Sequence, residues 1–266
     1  MGDSILIWSD MHNRVDLLAK FLERNGSLYS KRYFQGDYFD QFYDTPADAL
    51  KTARMVKDLL DDPRNRLCIG NHDIPYMFPT VESLWCPGFS KEKSDAINSV
   101  LKKEDWDKMQ LAYFVNGWLI SHAGFNHCYV SHPVNGITVE GIMGMCMFDR
   151  QLVYSTKIPL LMPGRDRGFD SPYLAGGVLW QDWGMFAPIN GINQIVGHTP
   201  NDFPRIRVIK PGYMSSISYN MLPSTNNGKE VTNDYKSINW CIDTNNQHFG
   251  VIEGNRFIVY DTRDFL

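Results

Sequence analysis

The chain has 266 residues, 43% of them hydrophobic, which is enough to bury a large core and suits one domain with insertions. A net charge of -4 and a pI near 6.0 argue against non-specific nucleic-acid binding, which needs a surplus of Lys and Arg. Cys68, Cys86, Cys128, Cys146 and Cys241 are scattered with no C-x-x-C pair, and neither a charged-then-apolar leader nor an apolar run near ~20 residues occurs, so we expect a soluble cytoplasmic protein with no disulfide framework, zinc finger or membrane partner.

Ile5-Leu6-Ile7-Trp8 is a continuous apolar run, the pattern of a strand buried on both faces, and it stops at Ser9-Asp10-Met11-His12. Val15, Leu18, Ala19 and Leu22 then recur at helical spacing up to Asn25-Gly26. A second strand at 33–35 delivers Gly36-Asp37, with Asp40 three residues on. Pro46 opens a second helix, whose apolar face carries Ala49, Leu50, Ala53, Val56, Leu59 and Leu60 until Asp61-Asp62-Pro63 ends it. A third strand at 66–69 runs into Gly70-Asn71-His72-Asp73. This alternation predicts a largely parallel sheet with helices on its faces and ligands gathered at the strand carboxyl ends.

From about 75 to 110 the pattern loosens into a lid or side lobe, with one helix at 93–102. Strands at 111–115 and 118–121 flank an Asn116-Gly117 turn, the second ending in His122-Ala123-Gly124. The stretch 137–154 reads as a Met-rich helix used for core packing. A polar loop carries Arg165 and Arg167, then comes Leu179-Trp180-Gln181-Asp182, and another strand ends in Gly197-His198-Thr199-Pro200. Residues 223–233 are rich in Ser, Thr, Asn and Gly, so a mobile surface loop is expected over about 221–237. Strands at 239–243, 249–252 and 256–260 close the chain, the last two joined at Glu253-Gly254-Asn255. With no repeat and no linker, residues 1–266 read as one domain.

Collected, the strand ends supply Asp10, His12, Asp37, Asn71, His122 and His198. Carboxylate, amide and imidazole donors together suit Mn, Fe or Zn better than Ca or Mg. Two divalent ions sharing one carboxylate, which we assign to Asp37, would lower the pKa of a bridging water toward ~7 and brace an in-line displacement at phosphorus. The chemistry expected is hydrolysis by a hydroxide bridging two metals, without a covalent enzyme intermediate.

Asp10-x-His12, Gly36-Asp37-x-x-Asp40, Gly70-Asn71-His72-Asp73, Ser121-His122-Ala123-Gly124 and Gly197-His198-Thr199 resemble, in order, the signature blocks of calcineurin-like metallophosphoesterases. Five ordered blocks are far more specific than any one of them. More narrowly, the chain resembles the branch holding serine/threonine phosphoprotein phosphatases, phage-type phosphatases and symmetrical diadenosine tetraphosphatases. His-Ala-Gly, the Gly-His-Thr-Pro block, Leu179-Trp180-Gln181-Asp182 and Cys241-Ile242-Asp243-Thr244 carry that narrower likeness.

The resemblance implies an α/β fold, a metallophosphoesterase-type β-sandwich of two mixed sheets flanked by helices in four αββα layers. It implies that Asp10, His12 and Asp37 hold one metal and Asp37, Asn71, His122 and His198 the other, with manganese favoured. It also implies that His72 is the general acid, oriented by Asp40. A histidine one residue past a ligand can reach the leaving group while a carboxylate holds its other nitrogen. The expected activity is hydrolysis of a phosphate monoester, from a phosphoprotein or a small phosphoester. A dinucleoside polyphosphate hydrolase is the second reading, and a metal-free binding or scaffold homologue the third.

The departures are informative. Gln41 stands where many protein phosphatases carry an arginine that grips phosphate, and a neutral amide lacks the bidentate fork. Arg165 and Arg167 are the candidate substitutes for substrate binding. His127, His132 and His248 fit no block and are assigned to the surface or to support of the site. Asp73 is read as a cap of the following turn, and Trp180 and Trp183 as aromatics buried near the sheet rather than nucleobase platforms.

Overall fold

Four apolar residues in a row make a strand here because both of its faces are covered. β1 (Ser4–Trp8) turns Ile5 and Ile7 toward a second sheet and Leu6 and Trp8 toward helices, and all four are buried. Each such side chain contributes about 1.5–3 kcal/mol on burial. The computed structural model describes residues 4–130, 139–155, 158–210, 216–220, 229–230 and 235–266.

β2 (Lys31–Phe34) and β3 (Asn65–Leu67) extend the sheet in parallel, with α1 (Val15–Asn25) and α2 (Pro46–Asp61) as the crossovers. A reciprocal Thr45–Asp48 capping box and Pro46 in the first turn fix where α2 begins. Beyond β3 come α3 (Ile74–Met77), α4 (Lys91–Val100) and α5 (Lys103–Trp106). Their Tyr76, Ile97 and Trp106 join the same core as the α2 face. β4 (Ala112–Val115) and β5 (Trp118–Ser121) form a hairpin whose Asn116 and Gly117 are both left-handed, with φ of 49° and 83°. α6 (His127–Val130) and α7 (Val139–Cys146) precede β6 (Asn193–Val196), β7 (Arg205–Ile209), β8 (Ser216–Asn220), β9 (Lys229–Glu230) and β10 (Ser237–Cys241). The hairpin of β11 (His248–Glu253) and β12 (Arg256–Asp261) closes the order.

The described strands form two six-stranded sheets, β3-β2-β1-β11-β12-β9 and β4-β5-β6-β10-β7-β8. Between them Ile5, Ile7 and Tyr33 meet Ile120, Ile195, Ile206 and Trp240, so the expected α/β sandwich of two mixed sheets is the architecture. α1 and α2 cover the outer face of the first sheet. On the second, Trp183 and Phe186 cover Val196 and Cys241 from a segment of turns and short helices rather than from long ones. β1, β2 and β3 run parallel to one another, as do β5, β6 and β10, and the loops after these strands meet at one rim.

Several local expectations change. Among the described residues of the predicted helix at 137–154, Val139–Cys146 is α-helical and Arg150–Tyr154 is a separate 3-10 turn opened by the Asp149 side chain on the Gln151 amide; residues 137 and 138 lie outside the described residues. Within the stretch expected to be a loop, Lys229–Glu230 pairs with β12 and Ser237 already begins β10; residues 221–228 and 231–234 lie outside the described residues. β7 and β8 are additional to the predicted strands. Of the three histidines assigned to the surface or to support of the site, His127 is exposed, His248 is buried with Nδ1 3.0 Å from Thr244 Oγ1, and His132 lies outside the described residues. No helix among the described residues is long and apolar enough to cross a membrane.

Candidate metal centre

The loops leaving the parallel strands are tied to each other before any side chain is considered. The Asp37 carbonyl accepts the amides of Met11 and His12 at 2.9 and 2.8 Å, and the His122 carbonyl accepts the Gly197 amide at 2.7 Å. His12, Asp37, Asp40 and His198 hold left-handed backbone, with φ of 43°, 51°, 63° and 66°. Such conformations cost of order 1–3 kcal/mol each for non-glycine residues and persist only where their surroundings enforce them. Asp73 is one enforcer, and it is not the cap expected of it. Its buried carboxylate accepts the Asp37, Tyr38 and Gly70 amides at 2.8, 2.9 and 2.7 Å. Burial raises the Asp73 carboxyl to about 6, against the pull of those three amides. The absence of side chains at Gly70 and Gly197 is also required, since a Cβ there would overlap the Asp37 and Asp10 carboxylates respectively.

These constraints bring Asp10, His12, Asp37, Asn71, His122 and His198 together. Asp10, His12 and Asp37 offer donor atoms that all lie within 4.8 Å of one another, and so do Asp37, His122 and His198, so Asp37 belongs to both groups. The tautomers follow from the backbone. His12 Nδ1 faces the Phe39 and Asp40 carbonyls at 3.0 and 2.7 Å, and His122 Nδ1 faces the Gln35 carbonyl at 3.0 Å. Each Nδ1 therefore carries the proton, and each Nε2 turns its lone pair toward Asp37 Oδ2, at 3.7 and 3.4 Å. The Asn71 amide lies 2.8 Å from His122 Nε2 and 2.9 Å from His198 Nδ1. With Nδ2 on that side it donates to both rings and to Asp37 Oδ2 at 3.3 Å. With Oδ1 there, only lone pairs converge, which is the arrangement a cation needs.

The electrostatics fit divalent cations. Asp10 and Asp37 are buried, and among the described residues neither pairs with a lysine or arginine. Burial, then Asp10 and Asp73, pushes the Asp37 carboxyl well up; burial, then Asp10, raises Asp243 to about 8. Burial lowers His122 to about 3, and burial followed by His122 lowers His198, so both rings are neutral at neutral pH. Uncompensated buried carboxylates are costly unless paired or metal-bound, and carboxylate, amide and imidazole donors together are a set that could hold a divalent cation.

Beside the centre, His72 Nδ1 lies 3.0 Å from Asp40 Oδ2, and the His72 amide donates to Asp37 Oδ1 at 2.9 Å. Both residues line a cavity of about 760 Å³ shared with His12, Asp37, Asn71 and His198. Phe42 and Tyr43 stand on its lip and are almost fully exposed. The two candidate arginines part company. Arg165 donates to the Ser171 and Pro172 carbonyls at 2.7 and 2.8 Å and lies off the cavity lining. Arg167 lines the cavity, its guanidinium 5.4 Å from the centre of the Trp180 ring and 3.9 Å from Asp182. Trp180 and Trp183 are buried as expected, Trp180 edge-on to His198. Sequence reasoning gave no role to Asp243, Asp44, Tyr76 or Lys93. Lys93 did leave a signal, because it sits four residues before Ile97 on the buried side of α4.

No protein-family model and no curated relative matches the sequence. Solved structures do match over nearly the whole chain. A metallophosphoesterase from Sphaerobacter thermophilus is similar over 98% of this chain and 88% of its own, with TM-score 0.50 and 14% identity. The fold is that of the metallophosphoesterases. A cold-active protein-tyrosine phosphatase of a psychrophile, Shewanella sp., covers 100% of this chain and 80% of its own at TM-score 0.50 and 15% identity. A mutant cold-active protein tyrosine phosphatase covers the same shares at TM-score 0.53 and 14% identity. On this metallophosphoesterase fold, the described centre occupies the rim where the two sets of parallel strands end.

Proposed function

We propose that this chain is a metal-dependent phosphoesterase of the calcineurin-like type, hydrolysing a phosphate monoester with His72 as general acid. One observation carries the reading: Asp37 belongs to two donor groups at once, and the His72–Asp40 pair opens onto the same cavity. Asp10, His12 and Asp37 would hold one cation and Asp37, Asn71, His122 and His198 the other, manganese first and iron or zinc as alternatives. Bound there, the pair would supply Lewis acidity and an activated nucleophile at neutral pH.

The side chains do the rest. Asp40 holds His72 through Nδ1 and leaves Nε2 to serve the departing ester oxygen. Lys93 and Tyr76 hold Asp40 in turn, and although burial pushes the Asp40 carboxyl up, His72, Lys93 and Tyr76 together keep it below the ordinary value. Arg167 and Arg14 are the guanidiniums that line the cavity, and we assign Arg167 to the substrate phosphate in place of the one missing at Gln41. Cys68, Cys86, Cys146 and Cys241 are buried thiols, which supports a reducing, cytoplasmic setting.

The test is elemental analysis of fresh protein followed by a substrate panel with Mn: a phosphopeptide, p-nitrophenyl phosphate and diadenosine tetraphosphate. Bound metal with monoester turnover is expected. Selective turnover of diadenosine tetraphosphate would transfer the assignment to the polyphosphate reading, and metal-free, inert protein would leave only a binding role.

A further inference from the structure

The lobe between β3 and β4, opaque in the sequence, buries a lysine against the loop that carries Asp40 and Asp44. Lys93 is 5% exposed, and its ammonium lies 2.6 Å from Asp40 Oδ1 and 3.0 and 3.2 Å from the two Asp44 oxygens. Asp40 Oδ1 also accepts the Tyr76 hydroxyl at 2.5 Å, and Asp44 accepts Asn13 Nδ2 at 2.8 Å. Every strong partner of Asp40 Oδ1 is therefore a donor from the lobe, and Oδ2 is left to His72 Nδ1. A buried ammonium costs several kcal/mol unless it is paired, and here it is clasped by two carboxylates. Removing it would leave Asp40 and Asp44 as neighbouring buried anions.

We propose that Lys93 is a positioning residue of the reaction: it locks the Asp40 carboxylate so that Oδ2 fixes the His72 ring with Nε2 toward the cavity. This rests on the phosphoesterase reading above. In that hydrolysis, water oxygen bonds to phosphorus and the ester P–O bond breaks with its electron pair passing to the ester oxygen. The proton of His72 Nε2 goes to that oxygen, the alcohol leaves neutral, and His72 recovers a proton from solvent. A lock on Asp40 thus matters most where the leaving oxygen is basic. For a weakly basic phenolate, which departs without a proton, it matters least.

The experiment compares wild type, Lys93→Met and Lys93→Met/Asp44→Asn, the double variant removing the anion that Lys93→Met strands. Substrates are an alkyl monoester, β-glycerophosphate, and 2,4-dinitrophenyl phosphate. We expect kcat on the alkyl ester to fall about 10- to 100-fold, as for a misplaced catalytic group, with KM and metal content retained and a much smaller loss on the dinitrophenyl ester. In metal-free protein the His72 ring nitrogens, read by 15N NMR, should change from one Nδ1–H tautomer to a mixture. Equal losses on both substrates, or a rise in KM alone, would overturn the proposal in favour of a structural or substrate-contacting lysine. His72→Asn run in parallel separates the two levels. If it too shows no leaving-group dependence, the general-acid reading falls and takes the proposal with it; if it does and the Lys93 variants do not, only the proposal falls.

Discussion

Asp73→Asn is the sharpest perturbation of the scaffold, because it alters one atom of a side chain that touches no solvent. The carboxylate accepts two amides on Oδ2 and one on Oδ1. Hydrogen bonds to a charged acceptor are worth about 1.5–3 kcal/mol each, and an amide oxygen can keep only the pair on one side. The Asn Nδ2 then confronts the Tyr38 N–H, leaving a buried donor without an acceptor. The expected loss is about 2–4 kcal/mol, or roughly 4–8 °C in Tm for a chain of this size. Because the lost lock holds Asp37 in its left-handed conformation, Mn affinity should fall about 10- to 100-fold, as for other residues that orient metal ligands. Asp73→Ala strands all three amides and should cost about 3–9 kcal/mol, comparable with the whole stability of many domains. Thermal unfolding of metal-free protein and Mn titration by calorimetry read the two effects separately. An Asp73→Asn protein with wild-type Tm and wild-type Mn affinity would refute the reasoning.

Gly197→Ala places a Cβ on the Asp10 carboxylate and the Ser9 hydroxyl, so Mn binding should weaken even if the protein folds; unchanged calorimetric affinity would contradict the crowding. Arg167→Ala should raise KM or lower kcat while leaving metal content alone, whereas Arg165→Ala should act only through the loop that its carbonyl contacts hold, as kinetics with elemental analysis will show. Burial pushes the Asp105 carboxyl up, but the Lys102 amide and the Lys57 ammonium outweigh it and the net shift is downward. Its stabilisation is therefore complete above the unfolded pKa of about 3.9 and disappears as pH falls through the lower folded value, so denaturation curves of wild type and Asp105→Asn should converge at acid pH. A gap independent of pH would show that the charge is not the source.

The site was legible where the fold makes it so. Strands buried on both faces write continuous apolar runs, and the candidate site residues follow within a few positions, as Asp10 follows Trp8 and His122 follows Ser121. What could not be read depends on long-range packing. Lys93 finds Asp40 and Asp44 from about fifty positions away, and no local pattern announces which carboxylate a buried lysine will meet. β7 was hidden by Arg205 and Arg207, whose guanidiniums lie over the Trp183 ring at 5.9 and 5.3 Å while Ile206 and Val208 face the other sheet. Arg165 and Arg167 are indistinguishable in sequence, yet a single 3-10 turn aims one at loop carbonyls and the other at the cavity.

The central claim is that one carboxylate serves two cations. Anomalous diffraction from Mn-loaded crystals, paired with the Asp37→Asn variant, addresses it most directly. The account predicts two manganese peaks, one on the Asp10–His12 side of Asp37 and one on the Asn71–His122–His198 side, and the loss of both from the variant. A single peak, or two that survive in Asp37→Asn, would contradict it.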